Sequence, residues 1–358
     1  MSFLILKEKL KQLKQLKPKW LKSSFIKGKL NNFIFEIWYK SYRNKNYDNS
    51  ENVLIIATEA MGDTIVKSGA MEIVRKKYGN DKVYIFANDK WEDILKRMDF
   101  NVISKTKGYR RGFKDRIKTI KKIDEIGFKT VIDLNFISDK TFTSKLSYKN
   151  LIKLEDYVKV DEKYILNPIY RMINDTIEVQ VDLEEIKPDF KTYYNLGESG
   201  IVVGVGASHE SKVFPPEKMI EILNLVKNSY PKEKIYLLGT GNKQRNYTEK
   251  IVKELKIENI INLVDEISLV EGMEKIAQSK LYIGFDSGLF HAAYSFRKDI
   301  MVFFGIESGF EHREKNVHII MGDGENPIKD GFYGNEILNS IKKSQVEEVL
   351  AKLKNRFR

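Results

Sequence analysis

From Asn52 onward, short runs rich in β-branched residues alternate with segments of helical periodicity. The first run is Val53–Ala57, and a second alternating series begins at Ile201. Strands joined through helices pair in parallel, with the helices covering the faces of the sheet. The alternation therefore predicts an α/β protein with two doubly wound parallel sheets.

The pattern predicts the individual elements in chain order. An irregular stretch between about residues 182 and 200, which contains Pro188, Gly197 and Gly200, is the predicted linker. We predict four parts: a basic helical extension over 1–50, domains over 51–190 and 191–335, and a closing helical segment over 336–358 that is long enough to pack back on the first domain. The predicted strands are 53–57, 83–87, 130–134, 201–205, 234–238, 259–263, 281–285 and 300–304, and the predicted helices are 64–78, 216–229, 246–255, 269–278, a short one from Leu289, and about 336–354.

The net charge of +12 is concentrated at one end of the chain. Residues 1–50 hold 12 basic and 3 acidic side chains, which leaves a net charge of only +3 for the other 308 residues. The chain has no cysteine, which excludes disulfides, a thiol nucleophile and a Cys-ligated zinc, and favours a reducing compartment. No known nucleic-acid-binding motif accompanies the basic segment, so we expect no nucleic-acid partner.

The basic segment is amphipathic. Leucines recur at helical spacing between Leu6 and Leu16, with lysines between them, and an aromatic-rich stretch follows Pro18. Lysines interrupt every apolar run, so the segment suits neither a membrane span nor a signal peptide. It is typical of a helix that binds an anionic membrane surface, and an amphipathic helix that docks on the protein's own core is the alternative.

Three strand ends carry residues suited to chemistry. The first strand runs into Thr58-Glu59-Ala60-Met61-Gly62-Asp63-Thr64 and then a helix. Gly62 permits a tight turn, and the helix dipole would favour the ionised form of the Asp63 carboxylate, which could then accept a proton. The alternative is that Asp63 is the N-cap of that helix.

The second loop follows the strand that begins at Ile201. It opens with Gly204 and Gly206 but lacks the third glycine of the dinucleotide-binding pattern GxGxxG, which makes a Rossmann dehydrogenase a poor interpretation. Ser208 and Lys212 precede a helix that starts with proline, a suitable setting for an anion such as phosphate. The alternative is that Lys212 is a solvated loop lysine.

The third loop, Gly284 to Ala293, leaves a strand and enters a helix. The backbone N–H groups of Ser287, Gly288 and Leu289 would form an anion-binding helix N-terminus. Asp286 would orient or cap this loop, since a direct contact with phosphate would be repulsive. His291 could donate to a phosphate oxygen or could be a buried histidine of the first helical turn.

Together these segments resemble glycosyltransferase family 9, the bacterial heptosyltransferases of the GT-B fold. The resemblance covers about residues 52–350. The most specific motif is Asp286-Ser287-Gly288-Leu289-Phe290-His291, which is similar to the family's D-[ST]-G-x-x-H loop. Lys212-Val213-Phe214-Pro215 resembles K-x-W-P, and the run that ends in Asp133-Leu134-Asn135 resembles a strand end with D-L-Q-G.

The resemblance implies inverting, metal-independent transfer of a sugar from a nucleotide donor, typically ADP-heptose, without a cofactor. It implies an acceptor domain followed by a donor domain, with Asp63 as the general base. It also implies a lipid-linked or lipopolysaccharide-core acceptor, reached from the cytoplasmic face of a bacterial membrane. The donor-binding residues implied on this chain are Gly62, Ser208, Lys212, Thr240, Gly241, Ile267, Asp286, Ser287, Gly288, Leu289 and His291.

This chain departs from the family pattern at three places. Gly239-Thr240-Gly241-Asn242 stands where the family usually has an acidic residue for the donor ribose, Gly305-Ile306-Glu307 replaces G-P-T, and Asn135 replaces glutamine. These departures lie on the donor and acceptor sides, so they leave open another nucleotide sugar used for capsule or another surface glycan. A separate alternative, from a different functional class, is a non-catalytic nucleotide-sugar-binding scaffold at a membrane.

Overall fold

A computed structural model describes residues 33–39, 50–105, 109, 112–159, 162, 164–255, 258–305, 314–323, 328–329, 332–333 and 336–356. Contacts divide the chain into two units. The first takes its described residues from Met1–Glu51, Lys105–Lys129 and Asp139–Asn150, and the second takes them from Asn52–Ser104, Thr130–Ser138 and Leu151–Arg358. Both sheets described next belong almost entirely to the second unit.

The first sheet has five strands in the order β3-β2-β1-β4-β5. The central strand β1 pairs in parallel with β2 on one side and with β4 on the other, and Ile56 lies opposite both Phe86 and Asp133. The chain therefore leaves β1 in one direction and returns on its other side at β4, which is the topological switch point of this sheet. The strands are β1 Val53–Ala57, β2 Val83–Asn88, β3 Asn101–Lys105, β4 Thr130–Asp133 and β5 Asn150–Lys153.

The second sheet has six strands in the order β11-β10-β9-β6-β7-β8, and all five pairs are parallel. Its switch point lies between β6 and β9. A separate antiparallel pair is formed by Ile328–Lys329 and Phe332–Tyr333. The six strands are β6 Ile201–Gly204, β7 Ile235–Leu238, β8 Ile260–Asn262, β9 Leu281–Phe285, β10 Asp299–Phe304 and β11 Val317–Met321.

Helices connect these strands, as parallel pairing requires. Short 3₁₀ turns occur at Leu154–Tyr157 and Glu210–Lys212. The α-helices are Met61–Val66, Ser68–Tyr78, Glu92–Arg97, Phe113–Ile126, Lys140–Thr143, Leu166–Thr176, Leu183–Ile186, Pro216–Ser229, Asn242–Leu255, Leu269–Gln278, Gly288–Ser295, Glu336–Asn339 and Lys343–Arg356, and residues 33–39 are also helical.

Successive side chains of a strand point to opposite faces of the sheet, so neighbouring residues of the second sheet pack into different hydrophobic cores. In β9, Tyr282 packs into one core, whereas Ile283 packs into the other. The core that contains Tyr282 also contains Ile55 of β1 and Phe290 of the helix Gly288–Ser295. A single hydrophobic core is thus shared by both sheets of the second unit, which fixes the strand ends that carry the candidate site.

The predicted linker contacts the first sheet's helical layer closely. A Cβ atom built at Gly69 would lie 2.0 Å from the carbonyl oxygen of Ile186, so only glycine allows this approach of two backbones. Capping also shapes the linker: Asp182 forms a capping box with Glu185 at the start of Leu183–Ile186. The stretch is therefore packed and locally ordered by its own side chains.

In the first unit, the helix over 33–39 contacts residues far along the chain. Phe35 is buried and stacks on Trp38, with ring centroids 5.8 Å apart. Lys145 pairs with Glu36 at 2.8 Å, and the Tyr39 hydroxyl donates to the carbonyl of Ser144. These contacts place this part of the predicted extension on the protein itself. The rest of residues 1–49, and so most of the predicted membrane-binding segment, lies outside the described residues.

Most predicted elements are present, and the fold class is confirmed. The predicted helix 64–78 is wrong in two respects: the helical segment begins at Met61, and it is interrupted at Lys67. The predicted closing helix is likewise two helices, separated after Asn339. No helix in the described part of the chain combines the length and apolarity needed to cross a membrane.

Candidate active site

Four chain segments meet the carboxyl ends of the strands at the two switch points. Residues 58–63 follow β1 and 134–138 follow β4, whereas 205–212 follow β6 and 286–291 follow β9. Ligands of open α/β sheets bind in the crevice at such points, because the loops diverge there to opposite faces of the sheet. The three loops singled out in the sequence are therefore three of these four segments.

Asp63 is the third residue of the helix Met61–Val66, and Ala60 occupies the N-cap without a side-chain hydrogen bond. The interpretation of Asp63 as an N-cap is therefore wrong. The helix dipole is not the dominant influence on the Asp63 carboxyl, because burial raises its pKa. Lys67 opposes this rise in pKa, and Glu59 adds to it.

Lys67 lies one helical turn after Asp63, at the junction of two helices. Its side chain is only 1% exposed, and its ammonium pairs with the Glu59 carboxylate and lies 3.9 Å from the centre of the Phe136 ring. The other Glu59 oxygen accepts the Phe136 backbone N–H at 2.9 Å. Glu59 thus joins the loop after β1 to the loop after β4.

Asn135 makes a second connection between the same two loops. Its side-chain oxygen accepts the Thr58 backbone N–H at 2.9 Å, and its own backbone N–H donates to Asp133 Oδ1 at 3.0 Å. Asp133 is fully buried, and burial raises the pKa of its carboxyl. The Asn135 side chain therefore connects the loop after β4 to Thr58, at the start of the loop that leads to Asp63.

Lys212 is not a solvated lysine, because its Nζ lies 2.6 Å from Asp286 Oδ2 and its side chain is 26% exposed. Asp286 thereby connects the loop after β6 with the loop after β9, instead of capping the following helix, whose N-cap is Ser287. The pair brings one cation to the switch point of the second sheet, next to the N-terminus of the helix Gly288–Ser295.

His291 lies in the first turns of that helix and is buried. Burial, with a smaller contribution from Lys212, lowers its pKa to about 3, so the ring is neutral at pH 7. Its Nε2 is 3.9 Å from Asp286 Oδ1. The structure thus agrees with the alternative in which His291 is a buried, neutral histidine. A hydrogen bond from His291 to a ligand would therefore be donated by a neutral ring.

The helices that follow β1 and β9 approach each other through two glycines. A Cβ at Gly62 would lie 2.5 Å from His291 Cδ2, and a Cβ at Gly288 would lie 2.2 Å from the Met61 side chain. The Asp63 turn and the Ser287 helix start are therefore adjacent. Leu289 and Ile267 are half-buried at the margin of the shared core.

Thr240 and Gly241 form a turn after β7 that is held from β8. Asp265 Oδ1 accepts the Gly241 N–H at 2.7 Å and the Thr240 hydroxyl at 3.0 Å. The Thr240 backbone N–H donates to the Gln244 side chain, which lies where a Cβ of Gly206 or Gly239 would otherwise be. A carboxylate therefore does lie beside this turn, although it comes from the loop that follows β8.

Ser208 lines a cavity of about 530 Å³ between the loop after β6 and the helix Asn242–Leu255. Its lining combines apolar residues such as Val213 and Phe214 with the polar residues His209, Glu210, Lys243 and Gln244. The Tyr247 hydroxyl closes one side by donating to the carbonyl of Phe214 at 2.9 Å. Among the described residues, no group of three or more His, Asp or Glu side chains is arranged to hold a metal ion.

Residues 152–313 match the family model of glycosyltransferase family 9 (heptosyltransferase). This segment is a glycosyltransferase family 9 domain. It contains Lys212, Asp286 and His291, and it confirms the family and the enzyme class expected from the sequence.

Relatives of the family 9 domain match more of the chain than residues 152–313. Lipopolysaccharide heptosyltransferase 1 of Campylobacter coli is 23% identical over 313 residues, which cover 76% of this chain and 90% of that protein. The E. coli heptosyltransferase WaaC with ADP-2-deoxy-2-fluoro heptose aligns with a TM-score of 0.66 and 14% identity, covering 84% of this chain and 99% of that one. The E. coli ADP-heptose lps heptosyltransferase II aligns with a TM-score of 0.65 and 17% identity, covering 86% and 99%. These likenesses confirm the GT-B fold.

Sequence reasoning did not single out Lys67, Glu59, Asp133 or Asp265 as site residues. Lys67 carried a signal, since it is the only charged residue between Asp63 and Glu72 in a run of small and apolar side chains. A lysine in such a run is buried only when it is paired. The other three depend on contacts between segments distant in sequence, which no local pattern reveals.

Proposed function

We propose that this protein is an inverting, metal-independent glycosyltransferase that moves a sugar from a nucleotide donor to a lipid-linked acceptor. The best-supported donor is ADP-heptose and the best-supported acceptor is a lipopolysaccharide-core precursor, because the relatives that align over most of the chain are named for them. The proposal is carried by one observation: the turn that presents Asp63 adjoins the helix start that lies beside Lys212.

In the proposed reaction, the acceptor hydroxyl attacks the anomeric carbon from the face opposite the diphosphate. The new C–O bond forms while the bond from carbon to the diphosphate oxygen breaks, and the electron pair leaves with the diphosphate. Asp63 accepts the hydroxyl proton. A single displacement of this kind inverts the configuration, and a carboxylate with a raised pKa is a better proton acceptor than an ordinary one.

The leaving diphosphate gains negative charge as the bond breaks. We assign its stabilisation to the Lys212 ammonium and the backbone N–H groups of Ser287, Gly288 and Leu289. Lys212 lies against Asp286 and is partly exposed, so its ammonium is accessible to an arriving anion. A fixed cation and a helix N-terminus supply the charge that a metal ion supplies in other transferases. Chelators should therefore leave the rate unchanged.

The nucleoside is assigned to the ends of β7 and β8. Thr240 and Gly241 form the turn there, and Ile267 lies in the following loop. Ser208 in the cavity after β6 completes the donor side, and Gly62 and His291 form its boundary with the Asp63 turn. This assignment predicts that ADP protects the loops after β7 and β8 from amide hydrogen exchange.

The test is transfer from ADP-heptose to truncated lipopolysaccharide acceptors, followed by mass spectrometry of the product and NMR of its anomeric configuration. Product with inverted configuration in the presence of a chelator supports the proposal. A thermal-shift comparison of ADP, UDP and GDP should show the largest stabilisation with ADP, since a ligand at about 100 times its Kd adds about 2.7 kcal/mol. A preference for UDP would instead favour another sugar and another surface glycan.

Two substitutions test the residue roles. Asp63→Asn should lower kcat by roughly 10²- to 10⁴-fold while ADP binding persists. The matched control is Asp93→Asn, which changes another aspartate in the first turn of a six-residue helix, where the side chain is 68% exposed. Full activity of Asp63→Asn would remove the base from the mechanism.

Lys212→Ala should cost about 3 kcal/mol in the transition state, as loss of an oxyanion donor does. Lys218→Ala is its control, because Lys218 also pairs with a carboxylate, Glu221, at 3.0 Å. An unaffected Lys212→Ala enzyme would refute the leaving-group role.

The alternative is a non-catalytic nucleotide-sugar-binding protein that acts as a membrane scaffold. It predicts that ADP-heptose binds but is neither transferred nor hydrolysed. We favour the enzyme because the Asp63 turn is held by two separate side-chain connections, through Glu59 and Asn135, which binding of a nucleotide alone would not need. Absence of product with every acceptor tested, alongside tight donor binding, would favour the scaffold.

We place the reaction at the cytoplasmic face of a bacterial membrane, where the basic N-terminal extension would contact anionic lipid. Phe33 and Ile37 support this, since they are 57% and 41% exposed on the same side of the helix over 33–39. Co-sedimentation with vesicles that contain anionic lipid tests the location. Equal binding to neutral and anionic vesicles would refute an electrostatic contribution to membrane binding.

A further inference from the structure

The side chain of Lys67 is almost completely buried beside the proposed base. Its ammonium contacts the Glu59 carboxylate and the face of the Phe136 ring, which is 3.9 Å away. A buried ion pair usually contributes little to stability, because the loss of hydration offsets the attraction between the charges. Packing therefore gives no sufficient reason for a lysine here, and a methionine of similar length would fill the space.

The position of Lys67 relative to Asp63 is fixed by the backbone. The Lys67 N–H donates to the carbonyl of Asp63 at 3.2 Å, so the two side chains are four residues apart on one side of the helical turn. The Lys67 ammonium is also paired with Glu59, whose second oxygen accepts the Phe136 backbone N–H. Because the side chain is buried and paired, the ammonium has few alternative positions.

Several charges act on the Asp63 carboxylate. Lys67 favours the charged form of Asp63. The carboxylates of Glu59 and Asp286 disfavour that charged form, and Glu59 and Asp133 also interact with the Lys67 charge. The titratable and charged side chains that face this pair come from both sheets: Glu59 after β1, Asp133 at the end of β4, Asp286 after β9 with its partner Lys212, and the neutral His291.

We propose that Lys67 is a positioning residue, whose buried ammonium holds the Asp63 carboxylate charged and in place as the proton acceptor. The proposal rests on the proposed function, in which Asp63 is the base. Glu59 serves Lys67 in this arrangement, because its carboxylate pairs with the ammonium. Lys67 itself touches no substrate, since its side chain is only 1% exposed.

The direct test is a titration of Asp63 that requires no activity. The protein is labelled with ¹³C-aspartate, and the Asp63 carboxyl signal is identified by its loss in Asp63→Asn. Lys67→Met should raise the pKa of Asp63, because the cation that favours the carboxylate is gone. Glu59→Gln should lower it, because a neighbouring negative charge is removed while the amide oxygen still accepts the Phe136 N–H.

Lys298→Met is the matched control. Lys298 is also buried, and its Nζ donates to the carbonyl of Gly197 at 2.7 Å, away from Asp63. Its replacement should leave the Asp63 titration unchanged. If Lys67→Met does not fold, the double variant Glu59→Gln/Lys67→Met is compared with Glu59→Gln, because these two proteins differ only in the Lys67 cation. Asp63 should titrate at higher pH in the double variant. Titration of Asp63 at the wild-type pH in Lys67→Met, or at the same pH in the double variant and in Glu59→Gln, would overturn the proposal.

The pH dependence of the reaction provides the second measurement. In Lys67→Met, the acid limb of kcat/KM should move to higher pH, so that activity at pH 6 falls more than activity at pH 8. A structural role alone would lower both equally, and that result would overturn the proposal. Failure of the proposed function is a distinct outcome: Asp63→Asn would then be fully active, whatever the titration of Asp63 shows.

Discussion

Gly62→Ala tests the contact between the helices that follow β1 and β9. Two effects of the added methyl group oppose each other. Alanine is favoured over glycine in a helix by up to about 1 kcal/mol, because glycine loses more backbone freedom on folding. Against this, the new Cβ would lie 2.5 Å from Cδ2 and 3.1 Å from Nε2 of His291. Carbon atoms in contact are normally 3.5 to 4.0 Å apart.

The magnitude follows from how far the His291 ring can move. The ring is 4% exposed and packs against Phe290, with centroids 4.9 Å apart, so it has little room to retreat. Adding a methyl group to such a packed contact costs about 1 to 3 kcal/mol. Because this cost exceeds the helix preference, we expect Gly62→Ala to lower the free energy of unfolding by about 1 to 2 kcal/mol.

The assay is urea unfolding of Gly62→Ala beside Gly272→Ala. Gly272 is also helical, within Leu269–Gln278, but a Cβ built there meets nothing within 4 Å. The control should therefore be stabilised by up to about 1 kcal/mol, since only the helix preference acts. In Gly62→Ala/His291→Ala the cost should largely disappear. Stabilisation of Gly62→Ala equal to that of Gly272→Ala would refute the close contact.

Three further predictions concern charge and surface. Because burial holds the pKa of His291 near 3, below its unfolded value of 6.5, the unfolded state binds the extra proton first, and stability falls as pH drops from 6.5 towards 3. In His291→Asn, urea midpoints should depend less on pH in this range, and an unchanged slope would contradict the assignment. Replacing Phe33 and Ile37 together by serine should weaken binding to anionic vesicles without changing activity on a detergent-solubilised acceptor, since both side chains are exposed. Asp286→Asn removes a negative charge beside Lys212 and should tighten ADP binding about 2- to 5-fold in calorimetry at low salt; weaker binding would show that the carboxylate positions the lysine.

The predicted strands that the structure reproduces are mostly the buried ones. The interior strand Leu281–Phe285 has the predicted bounds, because all five of its residues are buried and apolar or small. Besides the short pair Ile328–Lys329 and Phe332–Tyr333, the strands that were not predicted are β3, β5 and β11, and these three lie at sheet edges. Edge strands are half-exposed and carry polar residues, as in the sequence Asn-Val-Ile-Ser-Lys of β3, so their hydrophobic pattern is too weak to identify them.

Helix boundaries could be predicted where a local sequence signal sets them, but not where a contact with a distant residue does. Pro216–Ser229 and Leu269–Gln278 have the predicted bounds, because proline at the first position and a Ser268 capping box define their starts locally. The break at Lys67 has no local signal of this kind, since no glycine or proline occupies that position. It coincides with the ion pair to Glu59, a contact that the sequence pattern alone does not specify.

Candidate site residues at strand ends could be predicted because parallel sheets collect those ends at one edge. Asp63, Lys212 and Asp286 were identified in this way. Asp133 also lies at the end of a predicted strand, but its position opposite Ile56 depends on the register of β1 and β4. Asp265 could not be identified, because its partners Thr240 and Gly241 lie 24 or more residues earlier. Such contacts depend on strand order, which has to be known first.

The environment of Asp63 satisfies two requirements that conflict. A general base works best when its pKa is near the pH of the reaction, which favours burial, yet it must still be charged before the proton arrives. Burial and the neighbouring carboxylates Glu59 and Asp286 raise the pKa of Asp63, whereas Lys67 restrains that rise. A cation that was exposed would also bind the donor diphosphate and leave Asp63 when the donor arrived. Because the Lys67 ammonium is buried in its pair with Glu59, and Lys212 is partly exposed in its pair with Asp286, we expect Lys67 to act on Asp63 and Lys212 to act on the diphosphate in the proposed reaction.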